Sequence, residues 1–243
     1  MPPAQAFRFD RPVPYPPAAV AMERLVDARL KNAVPDTVLF LEHEPVVTLG
    51  SRGRDQFLLK SPGDLQREGV HVAHASRGGD VTYHGPGQIV MYPVFALTGA
   101  EADAHAYLAR LEETAIRTCA DFGVLAGRVP GKTGAWTDLG KIAAMGVRFR
   151  RWITSHGMSF NVSVDLRYTS WIVPCGLVGQ PVTSLARHLP DRCPALSDVR
   201  EQLRLHLAEV MGREIDWNSG PLPEALAGLA AFGQYHAPER TPP

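Results

Sequence analysis

The sequence predicts an α+β fold in which a mixed β-sheet is flanked by helices. Apolar runs of strand length, such as residues 36–41 and 89–97, predict buried strands. Residues 18–30 and 102–122 instead repeat apolar side chains at helical spacing, and the second of these stripes is the clearest in the chain. Because few helices alternate with many strands and hairpins, a mixed sheet is favoured over a doubly wound parallel one.

The remaining elements follow from the same patterns. Prolines and glycines bound the apolar runs and predict turns at their ends. The last long helix is expected to begin at Ser197, a residue type that caps helix N-termini. In chain order we predict a strand around residues 7–9, a helix at 18–30, strands at 36–41 and 46–49, a short helix at 62–68, a strand at 89–97, a helix at 102–122, a hairpin at 136–149, a strand at 155–164, a helix at 197–211 and a short helix at 223–231.

Length and composition limit the class of protein. With 243 residues, of which 45% are hydrophobic, the chain can form one large domain. We assign residues 1–215 to a single catalytic domain and residues 216–243 to a Pro- and Gly-rich C-terminal appendage. The 25 basic residues balance the 25 acidic ones, so no global field attracts nucleic acid or an anionic membrane. No secretion signal and no run of eighteen apolar residues is visible, so we expect a cytoplasmic protein.

Residues 77–88, RGGDVTYHGPGQ, form a glycine-rich segment between two predicted strands. Glycines at this density indicate backbone that adopts positive φ or is closely approached, and the Arg, Asp, Tyr and His side chains supply hydrogen-bonding groups. The segment matches neither a dinucleotide-binding fingerprint nor a phosphate-binding loop. Taken alone, it is either one wall of a binding site or a long polar turn.

Residues 126–133, AGRVPGKT, satisfy a relaxed phosphate-loop pattern in which Ala replaces the first Gly. Such a loop binds phosphate only where a helix follows, because the helix N-terminus supplies the N–H groups. Here residues 134–140 contain two glycines and no helical period. We therefore predict a turn that leads into a hairpin, with Trp136 on one strand and Lys141 at the start of the return strand.

The three cysteines, at positions 119, 175 and 193, are an odd number without a C-x-x-C pair, so neither a disulfide framework nor a zinc site is implied. Cys119 lies on the apolar stripe of a helix and is predicted to be a core residue. Cys193 lies in a loop, and we expect no catalytic role for it. Cys175 stands between Pro174 and Gly176 after an apolar strand, which places its thiol at a sharp turn and makes it a candidate nucleophile.

A thiol reacts as thiolate, so Cys175 needs a neighbouring cation or base. The candidates are Lys141, His84 and His156. A lysine ammonium about 4 Å away would stabilise the thiolate by up to roughly 4 kcal/mol at an effective dielectric near 20. Lys141 stands in an otherwise small and apolar segment, although a lone strand lysine is more often a side chain that extends to the surface.

Two other arrangements of histidines are weaker candidates. Asp80 either orients His84 in a Cys-His-Asp arrangement or bonds the backbone of its own loop. His71 and His74 form an H-x-x-H pair, but residues three apart on a strand face opposite sides, so we predict no metal site there. From the residues alone, the chain is a candidate cysteine acyl-transferase or hydrolase.

Four ordered blocks also carry a family resemblance. They are residues 77–88, residues 140–157 (GKIAAMGVRFRRWITSHG) with Asn161 and Val162, residues 174–176 (PCG), and residues 182–185 (VTSL). Together they resemble the lipoyl(octanoyl) transferase family over about residues 41–185. Ser159 and Phe160 depart from that family's pattern, where small or aliphatic residues are more common.

The resemblance implies transfer of an octanoyl (or lipoyl) group from acyl carrier protein to a lysine of a lipoyl domain, the first step of endogenous protein lipoylation. The acceptors would be the lipoyl domains of 2-oxoacid dehydrogenase acyltransferase subunits and the glycine cleavage H protein. It further implies an acyl-cysteine at Cys175, a pKa-lowering role for Lys141, no metal or other cofactor, and the fold of biotin and lipoate protein ligases.

The resemblance also implies an acyl-binding pocket. Three segments would line it, and His156 beside them would be either a pocket residue or a proton shuttle. The expected pocket residues are Arg77, Gly78, Gly79, Asp80, Val81, Thr82, Tyr83, His84, Ala144, Met145, Gly146, Gly157, Met158 and Ser159.

Two other functions remain open. An ATP-dependent lipoate or biotin ligase would share the fold but does not need a reactive cysteine, and a non-enzymatic acyl- or protein-binding module would leave Cys175 and Lys141 unexplained. A basic cluster, Arg148, Arg150 and Arg151, is either a solvated strand face or a docking site for acidic acyl carrier protein.

Overall fold

A computed structural model describes residues 3–173, 181–233 and 235. The strands are β1 (Ala4–Arg8), β2 (Thr37–Leu41), β3 (Val46–Leu49), β4 (His71–His74), β5 (Val81–His84), β6 (Gln88–Val94), β7 (Gly127–Val129), β8 (Lys132–Thr137), β9 (Gly140–Arg150), β10 (Ile153–Asn161) and β11 (Ile215–Trp217). The helices are α1 (Tyr15–Leu30), α2 (Pro62–Arg67), α3 (Ala104–Asp121), α4 (Leu185–His188), α5 (Leu196–Met211) and α6 (Ala227–Gly233).

Eight strands form one sheet in the order β11-β1-β2-β6-β10-β9-β8-β7. The pairs β11·β1 and β1·β2 are parallel, whereas all pairs from β2·β6 to β8·β7 are antiparallel. In the antiparallel half, β7 to β10 form consecutive hairpins, whereas β6 pairs with strands distant in the sequence; the parallel half contains strands from both ends of the chain. The predicted α+β class with a mixed sheet is therefore confirmed.

Helices cover both faces of this sheet because its central strands are apolar on both sides. In β2, Val38 and Phe40 pack into the core beneath α3 and α5, and Leu39 and Leu41 pack into the core beneath α1. All four side chains are fully buried. Each such burial is worth about 1.5–3 kcal/mol relative to exposure, so β2 anchors both layers.

A second, three-stranded sheet has the order β4-β3-β5 and forms its own small core around Val47, Leu49 and Tyr83. The centre of the glycine-rich segment is β5 itself, so this part of the segment is a strand and not a loop. The alternation of Val81 and Tyr83, both buried, with Thr82 explains the pairing of β5 with β3. The segment thus runs along the line where the two sheets meet.

Most predicted elements are confirmed, but one predicted helix cap is wrong. α3 is capped by Asp103, whose carboxylate accepts hydrogen bonds from the backbone N–H of His105 and Ala106 at 2.8 and 3.0 Å. α5 begins at Leu196 with Ala195 at the N-cap and no side-chain cap. Ser197 lies inside the helix, and its hydroxyl donates to the Asp198 carboxylate instead.

The predicted hairpin is confirmed, because β8 and β9 pair antiparallel with Trp136 opposite Lys141. Residues 127–129 were expected to belong to the turn before this hairpin, but they form strand β7, which pairs with β8 across a tight turn in which Gly131 has φ 75°. A strand and not a helix follows residue 131, so no helix N-terminus faces this segment. The core position of Cys119 is also confirmed, since the side chain is fully buried and burial raises the pKa of its thiol to about 12.

The residues after 215 contact the rest of the fold. Ile215 pairs with Ala4 on β1, and Leu226 and Leu229 are buried in the α1 layer. The division of the chain at residue 215 stays a prediction. Within the described ranges, none of the helices combines the length and the apolar character that crossing a bilayer requires.

Candidate active site

A cleft lies where β5 of the small sheet meets β9 and β10 of the large one. It consists of three cavities that are all bordered by Ala144, with Thr82 facing it from β5. We call them the inner cavity (about 30 Å³), the middle cavity (about 50 Å³) and the outer cavity (about 330 Å³). Because they share two wall residues, the cavities lie side by side along the cleft.

The pocket residues predicted from the sequence border these three cavities. The inner cavity is bordered by Arg77, Thr82, His84, Ala144, Met145, Gly146, His156, Gly157, Met158 and Ser159. The middle cavity adds Val81, Tyr83 and Lys141, and the outer cavity adds Gly78, Gly79 and Asp80. Cys175 lies outside the described residues. Whether these side chains bind an acyl group stays a prediction.

Arg77 crosses from the glycine-rich segment to the small sheet. Its Nη2 donates to the carbonyl and the hydroxyl of Thr48 at 2.8 and 2.7 Å, and its Nη1 donates to the carbonyl of Gly78 at 3.1 Å. The side chain is only 7% exposed. A buried charge with several hydrogen bonds fixes its surroundings, so Arg77 holds the segment against β3.

His43 supports the cleft from behind and is neutral. Its Nδ1 lies 2.9 Å from the carbonyl of Val13, which can only accept, so Nδ1 carries the proton and Nε2 accepts from the Tyr92 hydroxyl at 2.8 Å. Burial lowers the pKa of His43 to about 4 and raises that of Tyr92 well above its usual value. Both groups are therefore uncharged at neutral pH.

His84 is also neutral, and its partner is not the one considered from the sequence. Its Nδ1 donates to Gln88 Oε1 at 2.7 Å, and burial holds its pKa well below the ordinary value. Asp80 instead faces Arg52 at 3.7 Å. The hypothesis that Asp80 orients His84 is therefore wrong, because the amide of Gln88 takes that place.

Gln88 connects His84 to the edge of β9. Its Nε2 donates to Asn161 Oδ1 at 2.9 Å, and Asn161 Nδ2 donates to the carbonyl of Thr183 at 2.9 Å. The backbone N–H of Thr183 in turn donates to the carbonyl of Lys141 at 2.9 Å. A buried row of hydrogen bonds therefore links the glycine-rich segment to Lys141.

His156 borders the inner cavity in a strained backbone conformation. Its φ is 57°, a region that costs a residue with a Cβ about 1–2 kcal/mol. Its Nε2 lies 3.0 Å from Ser76 Oγ, and burial, followed by the nearby Arg77, lowers its pKa to about 3. A neutral His156 is a poor general acid near pH 7, and a pocket-lining role suits it better.

Lys141 stands at the junction of the middle and outer cavities. Its backbone N–H donates to the carbonyl of Pro181 at 2.9 Å, so the described chain resumes after residue 180 in direct contact with β9. Its ammonium nitrogen lies 4.7 Å from the centre of the Trp136 ring. The side chain is half-buried and opens into the cleft, unlike that of a surface lysine.

Two glycines of the cleft are required by the fold, one by close contacts and the other by its backbone conformation. A Cβ at Gly146 would lie 2.9 Å from Arg77 Cδ and 3.1 Å from the carbonyl oxygen of Gly78, which is too close. Gly79 has φ 87°, a conformation that favours glycine. The N–H of Gly78 already donates to the carbonyl of Val147 at 2.9 Å, so it is occupied by a protein acceptor.

The basic cluster is partly neutralised by α1. Arg148 pairs with Glu23 and Arg150 with Asp27, each at 2.7 Å. These ion pairs reduce the positive charge that the cluster presents to a partner, and docking there stays a prediction. His71 and His74 are exposed on β4, and the described part of the chain contains no group of three or more potential metal ligands.

Sequence reasoning missed several residues of the cleft. Tyr15 and Tyr92 border the inner cavity, and Lys132 borders the outer one. Tyr15 follows a proline-rich turn and Tyr92 lies within an apolar strand, so neither has a local pattern that marks a site. Lys132 belongs to the segment that resembles a phosphate loop, which was the one available indication.

Comparison with known proteins identifies the family. Residues 14–208 match the model of the Lipoyl protein ligase A/B catalytic domain. The Octanoyltransferase of Solibacter usitatus (strain Ellin6076) is 44% identical over 203 residues, which cover 84% of this chain and 91% of that protein. The chain belongs to the octanoyltransferase family. The range matched by the family model includes the whole cleft, from the glycine-rich segment to the residues that follow position 180.

Solved structures show how widely the fold of this octanoyltransferase-family chain is used. A bipartite lipoate protein ligase from Thermoplasma acidophilum superimposes with a TM-score of 0.72 at 16% identity, over 94% of this chain and 91% of that one. The biotin protein ligase from Aquifex aeolicus gives a TM-score of 0.51 at 10% identity, over 86% and 70% of the two chains. At such low identity these similarities establish the fold alone, and they confirm the predicted relation to biotin and lipoate ligases.

Proposed function

We propose that the protein transfers an octanoyl group from the thioester of acyl carrier protein to a lysine amine of a lipoyl domain. In this proposal the acyl group is held in transit as a thioester of Cys175, and Lys141 assists that thiol. The observation that carries the proposal is the position of Lys141, which borders both a narrow, mostly apolar cavity and a wider one, in a chain of the octanoyltransferase family.

The inner and middle cavities suit an uncharged acyl chain. The middle cavity is bordered by Val81, Val164 and Ile172. The inner cavity is bordered by His84 and His156, which burial keeps neutral. An alkyl chain gains about 0.8 kcal/mol for each methylene that it buries, provided that no charge has to be desolvated with it. The wider outer cavity then gives the thioester end room to meet its protein partners.

Two displacements complete the transfer. The thiolate of Cys175 attacks the carbonyl carbon of the donor thioester, the carbon–sulfur bond to the donor breaks, and the departing thiolate takes up a proton. The neutral lysine amine of the acceptor then attacks the Cys175 thioester, loses a proton, and the Cys175 thiolate leaves. An amide replaces a thioester, so the sequence runs downhill without ATP.

Lys141 serves both displacements in this scheme. Its ammonium stabilises the Cys175 thiolate before the first attack and again as that thiolate leaves. An amine that alternates between its charged and neutral forms can also pass a proton to the departing donor thiol and take one from the acceptor amine. Lys141 borders the outer cavity, so its amine would lie near the thioester end of the acyl chain, where both proton transfers take place.

An ATP-dependent ligase remains the second candidate, because the fold is shared with such enzymes. A ligase would need ATP to activate a free acid, whereas a transferase receives an acyl group that is already activated. A non-enzymatic binding module is the third candidate, and it would form no covalent product. One experiment separates the transferase from both alternatives.

The test is intact-mass spectrometry of the purified protein after mixing with octanoyl-acyl carrier protein in the absence of ATP. We expect the mass to increase by one octanoyl group, and we expect no adduct on Cys175→Ala. Cys193→Ala is the matched control, because this half-buried thiol lies away from the cavities, and it should acylate like wild type. No adduct on the wild type, or an adduct on Cys175→Ala, would contradict the proposal.

A further inference from the structure

Trp136 and Lys141 are directly opposed across the β8·β9 pair. Side chains in such positions lie on one face of the sheet and contact each other. Here the Lys141 ammonium nitrogen lies 4.7 Å from the centre of the indole ring, within the range of a cation–π interaction. The ring is 7% exposed, so the interaction is largely shielded from water.

The strand next to Lys141 leaves space for its stem. Gly134 lies two residues before Trp136 on β8, and a Cβ built on it would face the stem of Lys141. A Cβ at Gly134 would lie 3.2 Å from Lys141 Cε and 3.3 Å from its Cδ, and its φ of 130° also favours glycine. The stem of Lys141 thus passes over a position without a side chain and ends at the indole ring.

The ring itself is fixed. Trp136 Nε1 donates to the backbone carbonyl of Lys132 at 3.2 Å, which sets the ring plane relative to β8. The Lys132 ammonium nitrogen lies 5.4 Å from the same ring. Both lysines border the outer cavity, and both ammonium groups lie beside the fixed Trp136 ring. The ring therefore limits the positions that the two ammonium groups can take in that cavity.

We propose that Trp136 is the positioning residue of Lys141 and that its indole ring holds the ammonium at the junction of the middle and outer cavities. This inference rests on the proposed function only for its catalytic consequence. Four other charged groups belong to the surroundings of Lys141: Lys132, Arg52, Arg77 and Asp80 border the same cavity. Glu112 accepts a hydrogen bond from the N–H of Gly134 at 2.9 Å on the adjoining strand.

Two substitutions separate the ring's electrostatic role from its volume. Trp136→Phe keeps an aromatic face, whereas Trp136→Leu removes it. We expect Trp136→Leu to lower kcat for octanoyl transfer about ten-fold, with KM for the octanoyl donor changed less than two-fold, and Trp136→Phe to lower kcat about three-fold. Lys60→Met is the matched control for loss of a lysine that lies over a tryptophan ring, because Lys60 lies 3.6 Å from the centre of the Trp171 ring and does not border the three cavities, and we expect its kcat to equal that of wild type.

Trp217→Leu is the matched control for loss of a tryptophan. Its ring lies beside Arg8 and Arg204 at 5.8 and 5.9 Å, on β11 at the opposite side of the large sheet. Its thermal unfolding should resemble that of Trp136→Leu, while its kcat should equal that of wild type. Equal losses of kcat in the two variants would mean that general destabilisation explains the effect and would overturn the proposal.

A second measurement reports on Lys141 without catalysis. Competitive acetylation with acetic anhydride, followed by peptide mass spectrometry, gives the reactivity of each lysine amine. The ring stabilises the ammonium form, which does not react, so Trp136→Leu should increase acetylation of Lys141 about three- to ten-fold at fixed pH and leave that of Lys60 unchanged. Unchanged acetylation of Lys141 would overturn the proposal even if the wild type transfers octanoyl groups. If the wild type transfers none, the proposed function fails, while the acetylation still decides the role of Trp136.

Discussion

The inner cavity is bordered by histidines and tyrosines, whereas the β8–β9 hairpin presents two lysines, and the two regions treat ionisable groups differently. In the first, His84 and His156 are buried and hydrogen-bonded, and burial keeps them neutral. In the second, Lys132 and Lys141 adjoin the widest cavity and an aromatic ring. The comparison teaches that one cleft combines two different ends. At the neutral end, uncharged histidines and tyrosines suit an alkyl chain and the Arg77 cation is held in hydrogen bonds to Thr48, whereas the charged end suits bond exchange.

The largest effect is expected at the charged end. Lys141→Met should lower kcat for octanoyl transfer by about 100- to 1,000-fold, because up to roughly 4 kcal/mol of thiolate stabilisation is removed. Steady-state kinetics and the pH dependence of iodoacetamide alkylation at Cys175, followed by peptide mass spectrometry, check this. Lys60→Met is the control, because Lys60 does not border the three cavities. A Lys141→Met enzyme within ten-fold of wild type would mean that another group activates the thiol.

The next largest effect is expected at Arg77, the buried cation that borders both the inner and the outer cavity. Arg77→Met should reduce the free energy of unfolding by about 2–3 kcal/mol, because charge-assisted hydrogen bonds to Thr48 are lost and their buried acceptors stay unpaired. Urea denaturation measures the change. Arg52→Met, whose side chain is 74% exposed, should change stability by less than about 0.5 kcal/mol. Equal effects of the two variants would show that Arg77 does not fix the glycine-rich segment.

The neutral end predicts sensitivity to acid. His43 and His156 have folded-state pKa values of about 4 and 3, below the unfolded value of 6.5, so the unfolded chain binds more protons below pH 6.5. The stability that the fold gains from keeping them neutral is complete above pH 6.5 and is lost as the pH falls towards their folded-state pKa values. At pH 5 each should reduce the free energy of unfolding by about 2 kcal/mol.

His156→Asn tests this, since Asn tolerates positive φ. Urea denaturation at pH 7 and pH 5 should show a loss of stability about 2 kcal/mol smaller in this variant than in wild type. His105→Asn, on the exposed first turn of α3, is the control and should keep the wild-type pH dependence. An unchanged pH dependence in His156→Asn would mean that His156 is accessible to protons in the folded state.

The smallest effect is expected outside the cleft. Arg148→Gln and Arg150→Gln break ion pairs with α1 whose partners are each about half exposed, so each should cost less than about 1 kcal/mol in urea denaturation. Reversing both charges also tests docking: an unchanged KM for acyl carrier protein would argue against a contact there, and an increased KM would support one.

Sequence reasoning found what local patterns encode. The apolar periods predicted the three long helices α1, α3 and α5 and most strands of the large sheet, but not β7 or β11, and not β5 of the small sheet. The lone Lys141 in a small, apolar segment marked the charged end of the cleft. The neutral end could not be found in this way. The contacts of His43 with Tyr92 and of His84 with Thr48 join residues 49 and 36 positions apart, and they exist only once strands that are distant in the sequence have paired. The prediction for the partner of His84 was wrong for the same reason. Asp80 was considered because it is close to His84 in the sequence, but in the fold Gln88 contacts His84.

The parallel pairing of β1 with β11 has a consequence for how the chain folds. Ala4 meets Ile215, so the edge of the large sheet closes only after almost the entire chain has been synthesised. Until then β1 presents an open row of backbone donors and acceptors, which is a template for pairing with other chains. Contacts between residues so distant in sequence form slowly, because a very long loop must close first. A nascent or truncated chain that ends before residue 215 should therefore aggregate more readily than the full one, although its cleft residues are all present.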